Sequence, residues 1–147
     1  MTQVRRLLPE ETDSALKLVL DVFMQFEAPD YSEQGVETFK RTGIEDKEYI
    51  AELNIHGAFE DSQLVGVIAT RNKGSHIALF FVKGEYHKRG IGTALFKAIL
   101  SDSVSDKITV NSSPYAKEIY HHLGFTDTDS EQEVEGIRFI PMVYVKS

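Results

Sequence analysis

The sequence predicts an α/β protein built on a mixed, mostly antiparallel sheet of about seven strands, with helices on both faces. Three observations point there. Two β-rich runs, Glu52 to Phe59 and Gln63 to Arg71, are joined by Glu60-Asp61-Ser62, which reads as a hairpin turn. A wholly apolar run, Ile77 to Val82, is followed by a helical segment from Thr93 and then by the β-branched run Lys107 to Asn111. That crossover leaves the fourth and fifth strands parallel. Two final runs, Phe125 to Glu133 and Ile137 to Val145, surround Glu135-Gly136 and close the chain.

The remaining elements follow in order. Gln3 to Leu8 reads as the first strand. Pro9 and the acids Glu10, Glu11 and Asp13 mark a helix start, where negative charge is favoured. Leu16, Val19, Leu20, Phe23 and Phe26 then form an apolar stripe at helical spacing, and Ala28-Pro29-Asp30 breaks it. Ser32 can cap a second helix whose buried side carries Val36 and Phe39. Further on, Pro114 opens a helix in which Ala116, Ile119, Tyr120 and Leu123 recur on one side. Gly124 closes it with a left-handed cap. No repeat, linker or low-complexity segment interrupts the chain, and residues 1–147 read as one domain.

The stretch from Ile77 onward carries the chemistry. Its apolar strand leads into a basic loop, His87-Lys88-Arg89-Gly90-Ile91-Gly92, and a helix begins at Thr93. Glycines let a backbone turn tightly and approach a ligand closely. The first turn of a helix presents unpartnered N–H groups at its positive end. Lys88 and Arg89 add charge. A pyrophosphate suits such a place. No Gly-Lys-Ser/Thr triplet is present, so it is not a Walker A loop. Leu95 stands where a dinucleotide fingerprint needs a third glycine. On these residues alone, an ordinary strand-to-helix turn is an equal reading.

Residues 87–92 resemble motif A of the GNAT acetyltransferases, Gln/Arg-x-x-Gly-x-Gly/Ala, with His87 in place of Gln or Arg. The helix after Pro114 resembles motif B, Ala-x-x-hydrophobic-Tyr-x-x-x-Gly-Phe, at Ala116, Ile119, Tyr120, Gly124 and Phe125. Two signatures in the right order are far more specific than either one. The likeness is firm from the third strand onward and only architectural over the first fifty residues.

The resemblance implies a GNAT-like sheet in which the parallel fourth and fifth strands splay apart, and an N-acetyltransferase using acetyl-CoA. It assigns the pantetheine arm and the thioester carbonyl to backbone N–H groups of Phe80, Phe81 and Val82. The diphosphate falls to Lys88, Arg89, Gly90, Ile91, Gly92 and Thr93, and His87 contributes mainly through its backbone. Ser113 replaces a frequent family Asn, and Asn111 is assigned that polar contact. Tyr120 matches the family tyrosine whose hydroxyl faces the thioester sulfur. A phenol is protonated at neutral pH and can donate to a departing thiolate. The general base stays open. The fourth strand has no carboxylate, and His76 lies at its start, far from the thioester. Glu27, Asp30 and Tyr31 lie where the family forms its acceptor pocket. A carboxylate there can take a proton, bind a cationic acceptor or merely face solvent.

The absence of cysteine excludes an acyl-cysteine intermediate, and no Gly-x-Ser-x-Gly elbow replaces it. Direct attack in a ternary complex is the expected route, with a small-molecule or peptide amine as acceptor. Another acyl-CoA, an O-acceptor, or a CoA-binding module without turnover are the alternatives. A net charge of −7 argues against nucleic acid as partner. It reads first as a solubility property and second as attraction for a cationic acceptor. His121 and His122 diverge on their helix, His56 stands alone on a strand, and no metal is implied. No membrane-spanning run or signal peptide is visible, so a cytoplasmic location is expected, with a homodimer as an assembly known among related folds.

Overall fold

The computed structural model describes residues 2–146. Strand β1 (Thr2–Arg6) leads through a 3₁₀ turn at Pro9–Glu11 into helix α1 (Thr12–Val22). Glu11 secures this start by accepting from the Leu8 N–H and from the Arg5 guanidinium. The helix does not stop at Val22. A π turn, Phe23–Glu27, widens its last turn before a 3₁₀ turn at Ala28–Asp30. The Ser32 hydroxyl accepts from the Gly35 N–H at 3.2 Å and caps α2 (Glu33–Phe39), as its position in the sequence suggests.

A second π turn, Lys40–Ile44, follows, and then α3 (Lys47–Ala51), a helix absent from the elements the sequence predicts. Strands β2 (Asn54–Glu60), β3 (Gln63–Arg71) and β4 (His76–Val82) form an antiparallel meander. Asp61 and Ser62 both adopt positive φ, as a two-residue hairpin turn requires. The crossover helix α4 (Ile91–Asp102) returns the chain to β5 (Lys107–Ser112), parallel to β4. Helix α5 (Lys117–Leu123) ends on Gly124 at φ +108°.

The expected strand from Phe125 to Glu133 is divided into β6 (Thr126–Asp127) and β7 (Gln132–Val134), both paired to β8 (Ile137–Val145). The cause is local competition for hydrogen bonds. The Asp129 carboxylate accepts from Ser130 N at 2.8 Å and from the Gln132 side chain at 3.1 Å, turning the chain out of the ladder. Among the described residues the sheet therefore has eight strands, in the order β1-β2-β3-β4-β5-β8-β6 with β7 beside β8.

Each face of the sheet has its own core. On one side α1 and the π turn after it bury Ala15, Leu18, Val19, Val22 and Phe23 against Val67, Ala69, Leu79 and Phe81. The buried stripe is rotated from the one expected, since Leu16 and Leu20 are only half-buried. Val36 and Phe39 of α2 pack on this core half-buried, while Gly35 and Thr38 are the fully covered positions. On the other side α4 buries Ile91, Leu95, Phe96 and Ile99, joined by Tyr120 of α5 and Phe125. His56, read as isolated, places Nε2 2.9 Å from the Asp102 carboxylate and ties β2 to the end of α4.

Helix α2 is docked on the β7–β8 turn. A Cβ added to Gly35 would lie 2.2 Å from the Gly136 carbonyl oxygen, and Thr38 donates to the Glu135 carbonyl at 2.7 Å. Gly35→Ala is expected to destabilise the fold by about 2 kcal/mol, because backbone on both sides must move. The denaturation midpoint in urea checks this.

Candidate active site

Strands β4 and β5 pair only at His76↔Thr109 and Ile77↔Val110 and separate beyond them. On its other side β4 stays bonded to β3 as far as Lys83, whose N–H donates to the Val65 carbonyl at 2.9 Å. Alternation along an antiparallel pair then directs the backbone groups of Leu79 and Phe81 toward β3. Those of Ala78, Phe80 and Val82 face the opening. The Val82 carbonyl accepts from His87 Nε2 at 2.7 Å, which fixes the Nε2–H tautomer of that ring. His87 thus acts here through its side chain, not only its backbone.

The glycine loop ends at the same opening. Gly90 caps α4 at φ +80°, a left-handed conformation that strains residues with a Cβ. Its carbonyl accepts from Ala94 N, so the N–H groups of Ile91, Gly92 and Thr93 have no partner within the helix. A Cβ on Gly92 would meet only the Phe80 ring, at 3.4 Å, so the space in front of it is open.

Two cavities meet at the splay. One, about 420 Å³, is lined by Val82, His87, Lys88, Gly90, Thr93 and Tyr115, among others. The second, about 520 Å³, lies on the α2 and α3 side and is lined by Tyr31, Phe39, Tyr49, Arg71, His76 and Asn111, among others. They share five residues: Glu27, Phe80, Phe81, Ala116 and Tyr120.

Glu27 is the last residue of the π turn after α1. Burial pushes its carboxyl up to about 7, the Ser113 hydroxyl pulls the other way, and the charge of Asp30 raises it further. It is therefore divided between acid and base near neutrality. Tyr120 is 5% exposed and packs its ring edge-on against Phe80 and Phe125. Burial first, and the charge of Glu27 second, hold its phenol protonated well beyond the ordinary tyrosine range. A protonated phenol and a carboxyl that titrates near neutrality thus line one short wall.

The other expected residues fall on both sides of this wall. Phe80, Phe81, Val82, His87, Lys88, Gly90, Ile91, Gly92 and Thr93 line the first cavity, but the Phe81 backbone N–H, which the resemblance assigned to the donor, is turned toward β3 and only its side chain lies at the cavity. Arg89 does not: its guanidinium lies over the Tyr86 ring at 5.3 Å. Asn111 lines the second cavity, not the first to which the resemblance assigned it, because β5 turns it away from the glycine loop. Tyr31 lines the second cavity and donates to the Arg138 carbonyl at 3.2 Å. Asp30 is exposed and lines neither; its backbone carbonyl accepts from Arg138. Phe26, the last residue of the expected apolar stripe, stacks on Tyr115 and lies tilted against His87 beside the first cavity. Ser113, Tyr49 and Arg71 went unassigned in the sequence. Ser113 occupies the family's Asn position, which was the available signal; Tyr49 lies on the overlooked α3.

Comparison with known proteins places this geometry. A family model described as an acetyltransferase (GNAT) domain matches residues 27–146. An uncharacterized N-acetyltransferase of Escherichia coli K12, YafP, is 26% identical over 134 residues, covering 90% of this chain and 86% of that protein. Among solved structures, a GCN5-related N-acetyltransferase from Rhodopseudomonas palustris superposes with a TM-score of 0.82 at 18% identity, over 99% of this chain and 96% of that one. The PaiA N-acetyltransferase of Thermoplasma acidophilum, solved with coenzyme A, gives 0.76 at 21% identity, over 99% of both chains. These two likenesses are of fold. With most of its length matched by the family model, the splayed sheet and its glycine-capped helix belong to an acyltransferase: the chain is a member of the GNAT acetyltransferase family.

Proposed function

We propose that the protein transfers an acetyl group from acetyl-CoA to a primary amine by direct attack in a ternary complex. The observation that carries this reading is the meeting of two cavities at a wall holding both Glu27 and Tyr120. Acetyl-CoA supplies the activated acyl carbon. The first cavity suits it: free N–H groups at the start of α4 and Lys88 face a diphosphate, and an apolar wall follows toward Phe80.

The chain's residues then divide the work. Outward backbone N–H groups of β4 orient the thioester and polarise its carbonyl, which is worth a few kcal/mol in the transition state. The amine attacks from the second cavity. A C–N bond forms, the C–S bond breaks, and the amine proton passes to the Glu27 carboxylate, directly or through water. Tyr120 passes its proton to the departing sulfur and recovers one from the proton Glu27 has taken up, so both side chains return to their starting states; the raised pKa of the phenol favours that return. The products are the acetamide and free CoA thiol.

The test is incubation with acetyl-CoA and a panel of amines, alcohols and other acyl-CoA donors, with thiol release and acylated product both followed. Acetamide formation with an amine supports the reading. Binding of acetyl-CoA without transfer to any acceptor overturns it.

The loop makes a separate prediction. Gly92→Val places a branched side chain in front of the free N–H groups and should weaken acetyl-CoA binding about tenfold or more. Titration calorimetry reads the affinity; an unchanged value removes the loop from the donor site.

A further inference from the structure

The charged side chains of the second cavity are unevenly partnered. Glu135 faces Arg41 at 3.7 Å, and the Asp46 carboxylate accepts from Tyr49 N at 3.1 Å at the start of α3. Glu27 has Ser113 beside it. Arg71 differs. Its Nε is buried without a hydrogen-bond partner, and it has no ion-pair partner among the described residues. Its guanidinium lies over the Tyr49 ring at 5.6 Å. The adjacent His76 is held neutral, chiefly by burial and then by the charge of Arg71, down to about 4, and so presents no second cation.

A guanidinium with no ion-pair partner at the wall of a cavity marks a place that an anionic ligand completes. The terminal edge of a guanidinium offers two parallel N–H donors from its two Nη groups, which match the two oxygens of a carboxylate. Stacking on Tyr49 holds that edge in one orientation.

Position sets the length of the ligand. Arg71 pairs with His76 in the β3–β4 register, and Phe80 of the shared wall lies further along the same strand. The four residues of strand from His76 to Phe80 span about 13 Å. The amine and carboxylate of a free α-amino acid share one carbon and cannot bridge this.

We propose that the acceptor is a long amino carboxylate, its terminal amine at Glu27 and its carboxylate on Arg71. This assignment rests on the acetyl-transfer reading above. Two sources share that chemistry: ω-amino acids and short peptides with a free amino terminus.

The experiment uses the full chain at saturating acetyl-CoA. ω-Amino carboxylates of increasing length are compared with alkylamines of equal length, and glycine oligopeptides with their C-terminal amides. The carboxylated member of at least one pair should show kcat/KM at least about tenfold higher, mainly through KM. The ω-amino acid and peptide arms show which source fits. Arg71→Met should abolish the preference, and Arg71→Lys should restore part of it. Acetyl-CoA affinity should be unchanged in both variants, since Arg71 lies outside the first cavity.

Equal rates within every pair, or a preference that survives Arg71→Met, overturns the Arg71 assignment and leaves acetyl transfer standing. Acetyl-CoA binding with no transfer to any amine overturns both.

Discussion

Glu27→Gln is expected to lower kcat/KM for acetyl transfer by about 10²- to 10³-fold, the usual range for loss of a positioned general base. Acetyl-CoA affinity should change little, since the substitution keeps the size of the side chain. The pH dependence identifies the cause. With its carboxyl pushed up to about 7, Glu27 is protonated below that pH and cannot accept a proton. The acceptor's own ionisation affects wild type and variant alike, so their ratio isolates Glu27. That ratio should rise about tenfold per pH unit toward pH 7 and level off above it. A ratio that is flat with pH removes Glu27 as base.

Stability should move the opposite way. The carboxyl pKa is raised on folding from 4.5 to about 7, so the folded state binds more protons between those values. The cost of a buried carboxylate is complete above pH 7 and absent below the unfolded value. Glu27→Gln should therefore melt higher than wild type at pH 8, with the gain vanishing in acid. A variant that is more stable and less active cannot owe its loss of rate to misfolding.

Tyr120→Phe is expected to lower kcat by about 10- to 10²-fold while leaving acetyl-CoA affinity nearly intact. The ring makes the packing contacts, with Phe80 at 5.7 Å and Phe125 at 5.3 Å between centroids, and phenylalanine preserves them. Only the hydroxyl is lost. Its pKa lies far above neutrality, so no alkaline limb in the working range should belong to it. Single-turnover measurements show whether chemistry limits the rate; wild-type single turnover in the variant removes the proposed donor.

Much of this site was legible because its parts are local. The Ile77–Val82 run, the Gly90-Ile91-Gly92 loop and the Gly124 cap each declare themselves within a few residues. Their order along the chain predicts the parallel pair. What escaped depends on long-range packing or on segments too short for a period to emerge. Helix α3 spans five residues, less than two turns, although Asp46 supplied an N-cap signal. The π turn that ends at Glu27 has no sequence signature, since a wider turn inside a helix answers to its surroundings. One residue of phase there decides whether Glu27 or a neighbour faces the wall. Asp30 and Glu27 look alike in sequence, and only the 3₁₀ turn between them sends one outward and keeps the other in. Arg71 reads as an ordinary strand end until Tyr49 is brought over it.

The two cavities are joined through a partition of five side chains, one chamber filled by the donor and the other by the acceptor in the proposed reaction. An inhibitor that threads this partition, with coenzyme A tethered to an amine through a short acetyl linker, would occupy both chambers at once. Its second half would bind from an effective concentration set by the linker, and avidity could exceed either half alone by about 10²- to 10⁴-fold.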